Sequence, residues 1–396
     1  MKIAIVLETY GDSLLFGREE FYEFVNLAWE HGHSVDFFDL GVVYTEGGNF
    51  KSKHVAEIVK NYDWCVCSFH VNPLTQDFFR EIKKGNVKIA HFSHDLMTTS
   101  YDVISADGMV PELIFIQTLV QLASFESEAC PPAFRDYSKV VPVPSLKLSI
   151  YSRNREARIK KKNGEFVMWE LIWGRGIVSS DLTESKIQHY DRNSKLVSIV
   201  VNWAPGPGRK HIDTRIIRKE LESAGYIVAD KGTIYPMVIE DHVTEFHGLI
   251  GTIECVAKSS FVISIGSGVM IDAIYGGAIP ILMVSSSDPQ KPVVKVIGKE
   301  GEVDIIEHYE EGGYPNYNVK KVMPVAYVEN TDKIGEPLLE KLTLLSKNYE
   351  NNVRILQNAW CIQSDIPAYI TMLQEIENFR FKKCPRCGGG CWEFKE

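Results

Sequence analysis

Residues 261–282, FVISIGSGVMIDAIYGGAIPIL, constrain the fold more than any other stretch of this chain. An apolar run at 261–265 meets Gly266-Ser267-Gly268, and a short helical segment with one carboxylate, Asp272, follows. Gly276-Gly277 closes that segment, and 278–284 reads as the next buried strand. Strand, glycine turn, helix and strand in this order spell a β-α-β unit. A small-residue turn from strand to helix leaves backbone N–H groups free to hold a phosphate. An acid one turn into that helix is placed to accept hydrogen bonds from a ribose. The plainer alternative is a β-α-β unit with a solvated Asp.

The rest of the chain repeats the alternation. Strands read at 2–7, 34–40, 63–69, 87–93 and 140–144, and Phe21, Phe24, Val25, Ala28 and Trp29 recur at helical spacing. Pro111 opens another apolar segment that runs to Phe125, with proline at a tolerated first-turn position. Between 152 and 191 the pattern breaks, then restarts with strands at 196–201, 226–229, 261–265, 279–284 and 324–328 and a helix at 212–224. A helical region from 337 to about 381 follows, interrupted near 360–367. Such alternation implies parallel sheets covered on both faces.

The expected organisation is therefore an α/β chain of two doubly wound Rossmann-like domains facing a central cleft, with the last helix crossing back to the first domain. That is the outline of the GT-B architecture. The divisions are 1–194 (with an excursion at 152–191), 195–360, a crossover helix at 361–381 and a Cys-rich tail at 382–396. Ligands of such sheets bind outside the strand C-terminal ends.

At 396 residues the chain exceeds one ordinary core. A net charge of −9 argues against a uniformly basic nucleic-acid coat, though not against a local patch. No apolar run approaches a membrane span, and MKIAIVLE reads as a first strand rather than a signal peptide. Cys65, Cys67, Cys130, Cys255 and Cys361 sit in apolar contexts as reduced core residues, which fits a cytoplasmic setting.

The second domain supplies the residues for a nucleotide. Its first strand ends in Asn202-Trp203, and the loop APGPGRKH precedes a helix, so Gly208, Arg209 and Lys210 bring open backbone and two cations to one turn. A diphosphate needs such a turn; an ordinary basic surface loop is the alternative. Between the two glycine turns, His247-Gly248-Leu249-Ile250 sits ahead of a helix. Backbone near Gly248 and Ile250 can read a nucleobase while an apolar side chain covers its face. His247 alone reads as structural.

The first domain supplies a base. Ser93-His94-Asp95 follows the strand at 87–92, at the edge where a cleft residue belongs. A carboxylate there can take the proton of an attacking hydroxyl. Asp95 is the candidate, with His94 and Glu8 as rivals and a helix N-cap as the structural alternative.

On these residues the chain resembles the phage DNA β-glucosyltransferases, GT-B enzymes that glucosylate 5-hydroxymethylcytosine in duplex DNA. The resemblance runs through MKIAIV, EHGHSVDFFDL, NYDWCV, KIAHFSHDL, APGPGRK and FHGLI. It implies that Asp95 is the catalytic base, that Arg209 binds the diphosphate and that the uracil contact falls near Ile250. The family's ribose-binding acid is a Glu, where this chain has Asp272. The implied reaction is an inverting transfer of sugar from a UDP-sugar to a hydroxyl, in a cytoplasmic protein (of the host cytoplasm if phage-encoded). SIGSGVMIDA is also similar to heptosyltransferase-type enzymes. A sugar-nucleotide 2-epimerase, a glycosyltransferase with a small glycan or lipid acceptor, and a nucleotide-responsive binding protein remain alternatives.

Two features stand outside the resemblance. Arg153, Arg155, Arg158, Lys160, Lys161 and Lys162 crowd 153–162 and offer contacts to a DNA backbone, or form a solvated face. Cys384, Cys387 and Cys391 in KKCPRCGGGCWEFKE present thiolates to a structural zinc, or stay free.

Overall fold

The computed structural model describes residues 1–7, 21–40, 48–67, 73–92, 110–126, 130, 132–146, 196–200, 214–231, 260–264, 269–285, 293–294, 307–309, 321–328 and 335–379. The chain divides into two compact units, Met1–Leu146 with Ile362–Glu396, and Lys147–Cys361.

The first unit is built on one parallel sheet. Its strands are β1 (Lys2–Leu7), β2 (Ser34–Asp39), β3 (Trp64–Cys67), β4 (Lys88–Phe92), β5 (Leu113–Ile116) and β6 (Lys139–Pro142), in the order β2-β1-β3-β4-β5-β6. Every pairing is parallel. WCVC and LIFI are buried at every position, because a parallel sheet covered on both faces leaves neither side of a strand for water. The crossovers carry helices α1 (Tyr22–Glu30), α2 (Gly48–Val59), α3 (Pro73–Ile82), α4 (Leu119–Glu126) and α5 (Pro132–Tyr137).

Two expectations need correction here. Trp29, placed on the buried stripe of α1, is 48% exposed, and Tyr22 is buried with Phe24, Val25 and Ala28. The segment opened by Pro111 is not one helix but strand β5 followed by α4. Four consecutive β-branched, Leu or aromatic residues suit a central strand, and a capping box starts the helix after them. The Gln121 backbone N–H donates to Thr118 Oγ1 (3.2 Å), while Gln121 Oε1 accepts from the N–H groups of Gln117 (2.9 Å) and Thr118 (3.2 Å).

The second unit has the parallel order β14-β10-β9-β7-β8, from β7 (Leu196–Val200), β8 (Ile227–Lys231), β9 (Phe261–Ser264), β10 (Ile279–Ser285) and β14 (Val325–Val328). Helices α6 (Thr214–Ser223), α7 (Val269–Gly276), α8 (Gly335–Lys347) and α9 (Tyr349–Trp360) accompany it. A small antiparallel sheet of β11 (Val293–Val294), β12 (Glu307–Tyr309) and β13 (Lys321–Met323) had no counterpart in the sequence reading.

The final helix, α10 (Ala368–Asn378), belongs to the first unit and packs on α1. It buries Ala368, Met372, Leu373 and Ile376 in the same core as Ile3, Phe24, Trp64 and Phe115. Phe379 meets the Trp64 ring edge-on, with centroids 5.4 Å apart. No helix among the described residues is long and apolar enough to cross a membrane.

Candidate functional site

In the second unit the strand order reverses between β7 and β9. β7 leads to β8 on one side, whereas the chain after β8 returns to β9 on the other. Such a switch point opens a crevice beyond the strand C-termini. The last paired residues of the two strands, Val200 and Ser264, are register partners, so both strands end side by side. From these ends depart 201–213, with Gly208, Arg209 and Lys210, and 265–268, with Gly266, Ser267 and Gly268. The next helices begin at Thr214 and Val269. Two glycine-bearing strand-to-helix connections thus start at one point of one sheet edge, although they lie far apart in sequence.

Those connecting residues lie outside the described residues, as do Gly248, Ile250 and His247. Asp272 is the one expected ligand-binding residue that is described. It stands in the first turn of α7 and is 4% exposed. A carboxylate at a helix N-terminus is favoured by the unpaired N–H groups and by the macrodipole. Its neighbours Met270, Ile271, Ala273 and Ile274 are fully buried, so α7 is held on nearly every side.

The hold on α7 comes from side chains far away in sequence. The Tyr349 hydroxyl lies 2.9 Å from the Ser260 carbonyl oxygen and 3.0 Å from that of Gly277, one donor shared between the start of β9 and the end of α7. Gln357 Nε2 donates to the Ile274 carbonyl at 3.1 Å. Gly277 has φ +76°, and the Ala278 N–H reaches back to the Ala273 carbonyl at 2.8 Å. This left-handed closure suits glycine and turns the chain directly into β10. Nothing in the spacing of Tyr349 and Gln357 pairs them with residues some 80 positions earlier.

In the first unit, Asp95, His94 and Glu8 lie outside the described residues. Their anchors do not: Leu7 ends β1 and Phe92 ends β4, both at the C-terminal edge of the sheet. A buried acid of the same unit, Glu112, sits at the opposite edge. Its Oε2 accepts the Ile89 N–H at 2.6 Å, and burial pushes its pKa above the ordinary carboxylate value. It fastens the start of β5 to β4 and is a structural residue.

Cys65, Cys67, Cys130 and Cys361 are buried free thiols. Burial pushes Cys361 up to about 12 and raises Cys65 and Cys130 as well. Cys255, the tail cysteines Cys384, Cys387 and Cys391, and the basic run 153–162 lie outside the described residues.

No known family model matches the chain, and no curated protein matches it in sequence. Solved structures do. A variant of the wall teichoic acid polymerase TagF superposes with a TM-score of 0.52 at 10% identity, over 95% of this chain and 88% of that one. A second TagF structure gives 0.51 at 11% identity, over 94% and 88%. A UDP-GlcNAc 2-epimerase from Neisseria meningitidis, bound to UDP-GlcNAc, gives 0.49 at 12% identity, over 71% and 82%. At these identities the TagF likeness shows the fold. Two doubly wound parallel units in one chain, with the final helix returning to the first, make the GT-B architecture. The likeness to DNA glucosyltransferases rests on the sequence motifs alone.

Proposed function

We propose that this protein is a GT-B glycosyltransferase that takes a UDP-sugar in its second unit and transfers the sugar to a hydroxyl. One observation carries the donor half: Val200 and Ser264 end neighbouring strands at the switch point, so the two glycine turns leave the sheet together. The backbone N–H groups around Gly266-Ser267-Gly268 and Gly208, with the side chains of Arg209 and Lys210, bind the diphosphate. Asp272 takes the ribose hydroxyls, and backbone near Gly248 and Ile250 reads the base.

The acceptor oxygen attacks the anomeric carbon while the bond from that carbon to the diphosphate oxygen breaks. UDP leaves with the bonding electrons, and Asp95 takes the acceptor proton. Cations and N–H dipoles stabilise the charge on the leaving diphosphate. On the resemblance, the acceptor is a hydroxymethylated base in duplex DNA, held by the basic run 153–162. On its own spacing, the tail Cys384, Cys387 and Cys391 binds a structural zinc, which elemental analysis of the purified protein checks.

The test incubates the protein with hydroxymethylated DNA and a panel of nucleotide sugars, followed by mass spectrometry of the nucleosides and of free nucleotide. One TagF variant was studied after a soak with CDPG, so the panel includes cytidine as well as uridine donors. A glycosylated nucleoside with matching UDP release supports the proposal. A new sugar nucleotide formed without acceptor replaces it with epimerisation. Transfer to a small glycan or lipid but not to DNA overturns the acceptor and leaves the donor site standing.

A further inference from the structure

Three metal-ligating side chains meet in the first unit, away from the strand ends that carry the proposed chemistry. His31 Nδ1 lies 2.9 Å from Glu377 Oε1, and His33 Nε2 lies 2.8 Å from the same oxygen. One oxygen thus gathers two imidazole nitrogens, and all three ligand atoms fall within 4.8 Å of one another. The side chains of His31, His33 and Glu377 are 43%, 13% and 25% exposed, so the cluster is half-buried with one side open to water.

Its parts are held rigidly. His31 caps the C-terminus of α1, and Gly32 follows with φ +76°. The Gly32 N–H donates to Trp29 O and the His33 N–H to Ala28 O, both at 2.9 Å, which closes the helix in a Schellman turn. Ser34 then enters β2, where its N–H donates to Met1 O at 3.0 Å. The two histidines are therefore fixed on either side of one glycine. Glu377 stands in the last turn of α10, whose Met372, Leu373 and Ile376 are buried. Neither partner has to be ordered when a ligand arrives, which removes much of the cost of binding.

We propose that His31, His33 and Glu377 form a binding site for a divalent transition metal of the zinc class, which clips α10 to the α1–β2 turn. Two imidazoles and one carboxylate are an ordinary ligand set for zinc, with water in the fourth position. Around a tetrahedral zinc with bonds of about 2.0–2.1 Å, ligand atoms sit about 3.3 Å apart. The two nitrogen–oxygen separations of 2.8 and 2.9 Å open by a few tenths of an ångström, and the two imidazole nitrogens, within 4.8 Å of each other, settle to the same spacing. The metal displaces the protons that now lie between the imidazoles and the carboxylate. The clip joins segments 344 residues apart, His33 and Glu377, and so holds the returning helix where chain connectivity gives it least help.

The test uses the full chain carrying Cys384→Ser, Cys387→Ser and Cys391→Ser, so that the tail thiols do not compete. Titration with Zn²⁺ alone is expected to give one ion per chain and a raised melting temperature. Co²⁺ in its place is expected to show ligand-field bands without thiolate charge transfer. Glu377→Gln, His33→Ala and the more exposed His31→Ala each weaken uptake at least about tenfold, while far-UV circular dichroism in chelator matches the parent. No Zn²⁺ uptake, uptake unchanged in all three variants, or a thiolate signal in the Co²⁺ spectrum overturns the proposal. A plain hydrogen-bonded His–Glu cluster gives the first of these results.

Discussion

Replacing Leu373 by alanine tests whether the last helix is part of the first unit's core or merely lies on it. Leu373 is fully buried, as is Met372, and Ile376 is 2% exposed. All three share a core with Phe24, Trp64 and Phe115. A Leu→Ala change at such a site removes the transfer free energy of the lost carbons and leaves a partly unrelaxed cavity, about 2–5 kcal/mol in total. The three buried long apolar side chains of α10 together contribute about 5–9 kcal/mol, taking about 1.5–3 kcal/mol for each. This is the size of a whole domain's net stability, about 5–15 kcal/mol. Leu373→Ala should therefore lower the urea midpoint of the first unit strongly, and ending the chain after Cys361 should leave that unit unfolded. Fluorescence follows the transition, because the buried Trp64 ring touches Phe379 beyond α10. The control is Gln374→Ala at an exposed position of the same helix, expected within about 0.5 kcal/mol of the parent. A Leu373→Ala loss below about 1 kcal/mol, or a folded first unit in the shortened chain, would refute the reasoning.

Other consequences are more local. Burial raises the Glu112 pKa, so the folded state holds that proton more tightly than the unfolded chain, where it leaves near about 4.3. The cost is absent below that pH and grows as pH rises through the folded value. Glu112→Gln keeps an acceptor for the Ile89 N–H and should remove this part of the decline in urea-unfolding profiles across pH. Cys361, pushed up to about 12, should resist alkylation in the native protein near neutral pH and react once urea unfolds it, as mass spectrometry reads directly. Asp272→Ala and Arg209→Ala should each weaken UDP binding by about 1–3 kcal/mol, the loss of a charge-assisted hydrogen bond, measured by calorimetry; unchanged affinity in both would remove them from the site. Asp95→Asn should abolish transfer while UDP affinity holds, because only the proton acceptor is lost; retained turnover would shift the role to another base.

The parallel strands were legible because burial on both faces writes them as short continuous apolar runs. The apolar run at 2–7 coincides with Lys2–Leu7, and that at 261–265 exceeds Phe261–Ser264 by one residue. β5 was hidden because LIFI adjoins the apolar face of α4, and a run of that length does not separate strand from helix. The Thr118–Gln121 capping box was the local signal that would have divided them. β11 to β13 span only two or three residues each, too few for any period to register. Strand order is a tertiary property. The sequence marks both glycine turns, but only the pairing of β7 with β9 brings their starting points together. The same holds for Glu377 beside His31 and His33, and for Tyr349 beneath Gly277, which no local pattern connects.

The proposal of a donor site at the β7–β9 switch point is tested most directly by amide hydrogen exchange of the intact protein with and without UDP. Binding there should slow exchange in peptides covering 201–213 and 265–272, the connections that leave Val200 and Ser264 together and enter α6 and α7. Peptides from β5, α4 and α5 in the first unit should be unaffected. UDP that binds while both connections exchange at their free rates, or that protects the first unit alone, would contradict the assignment.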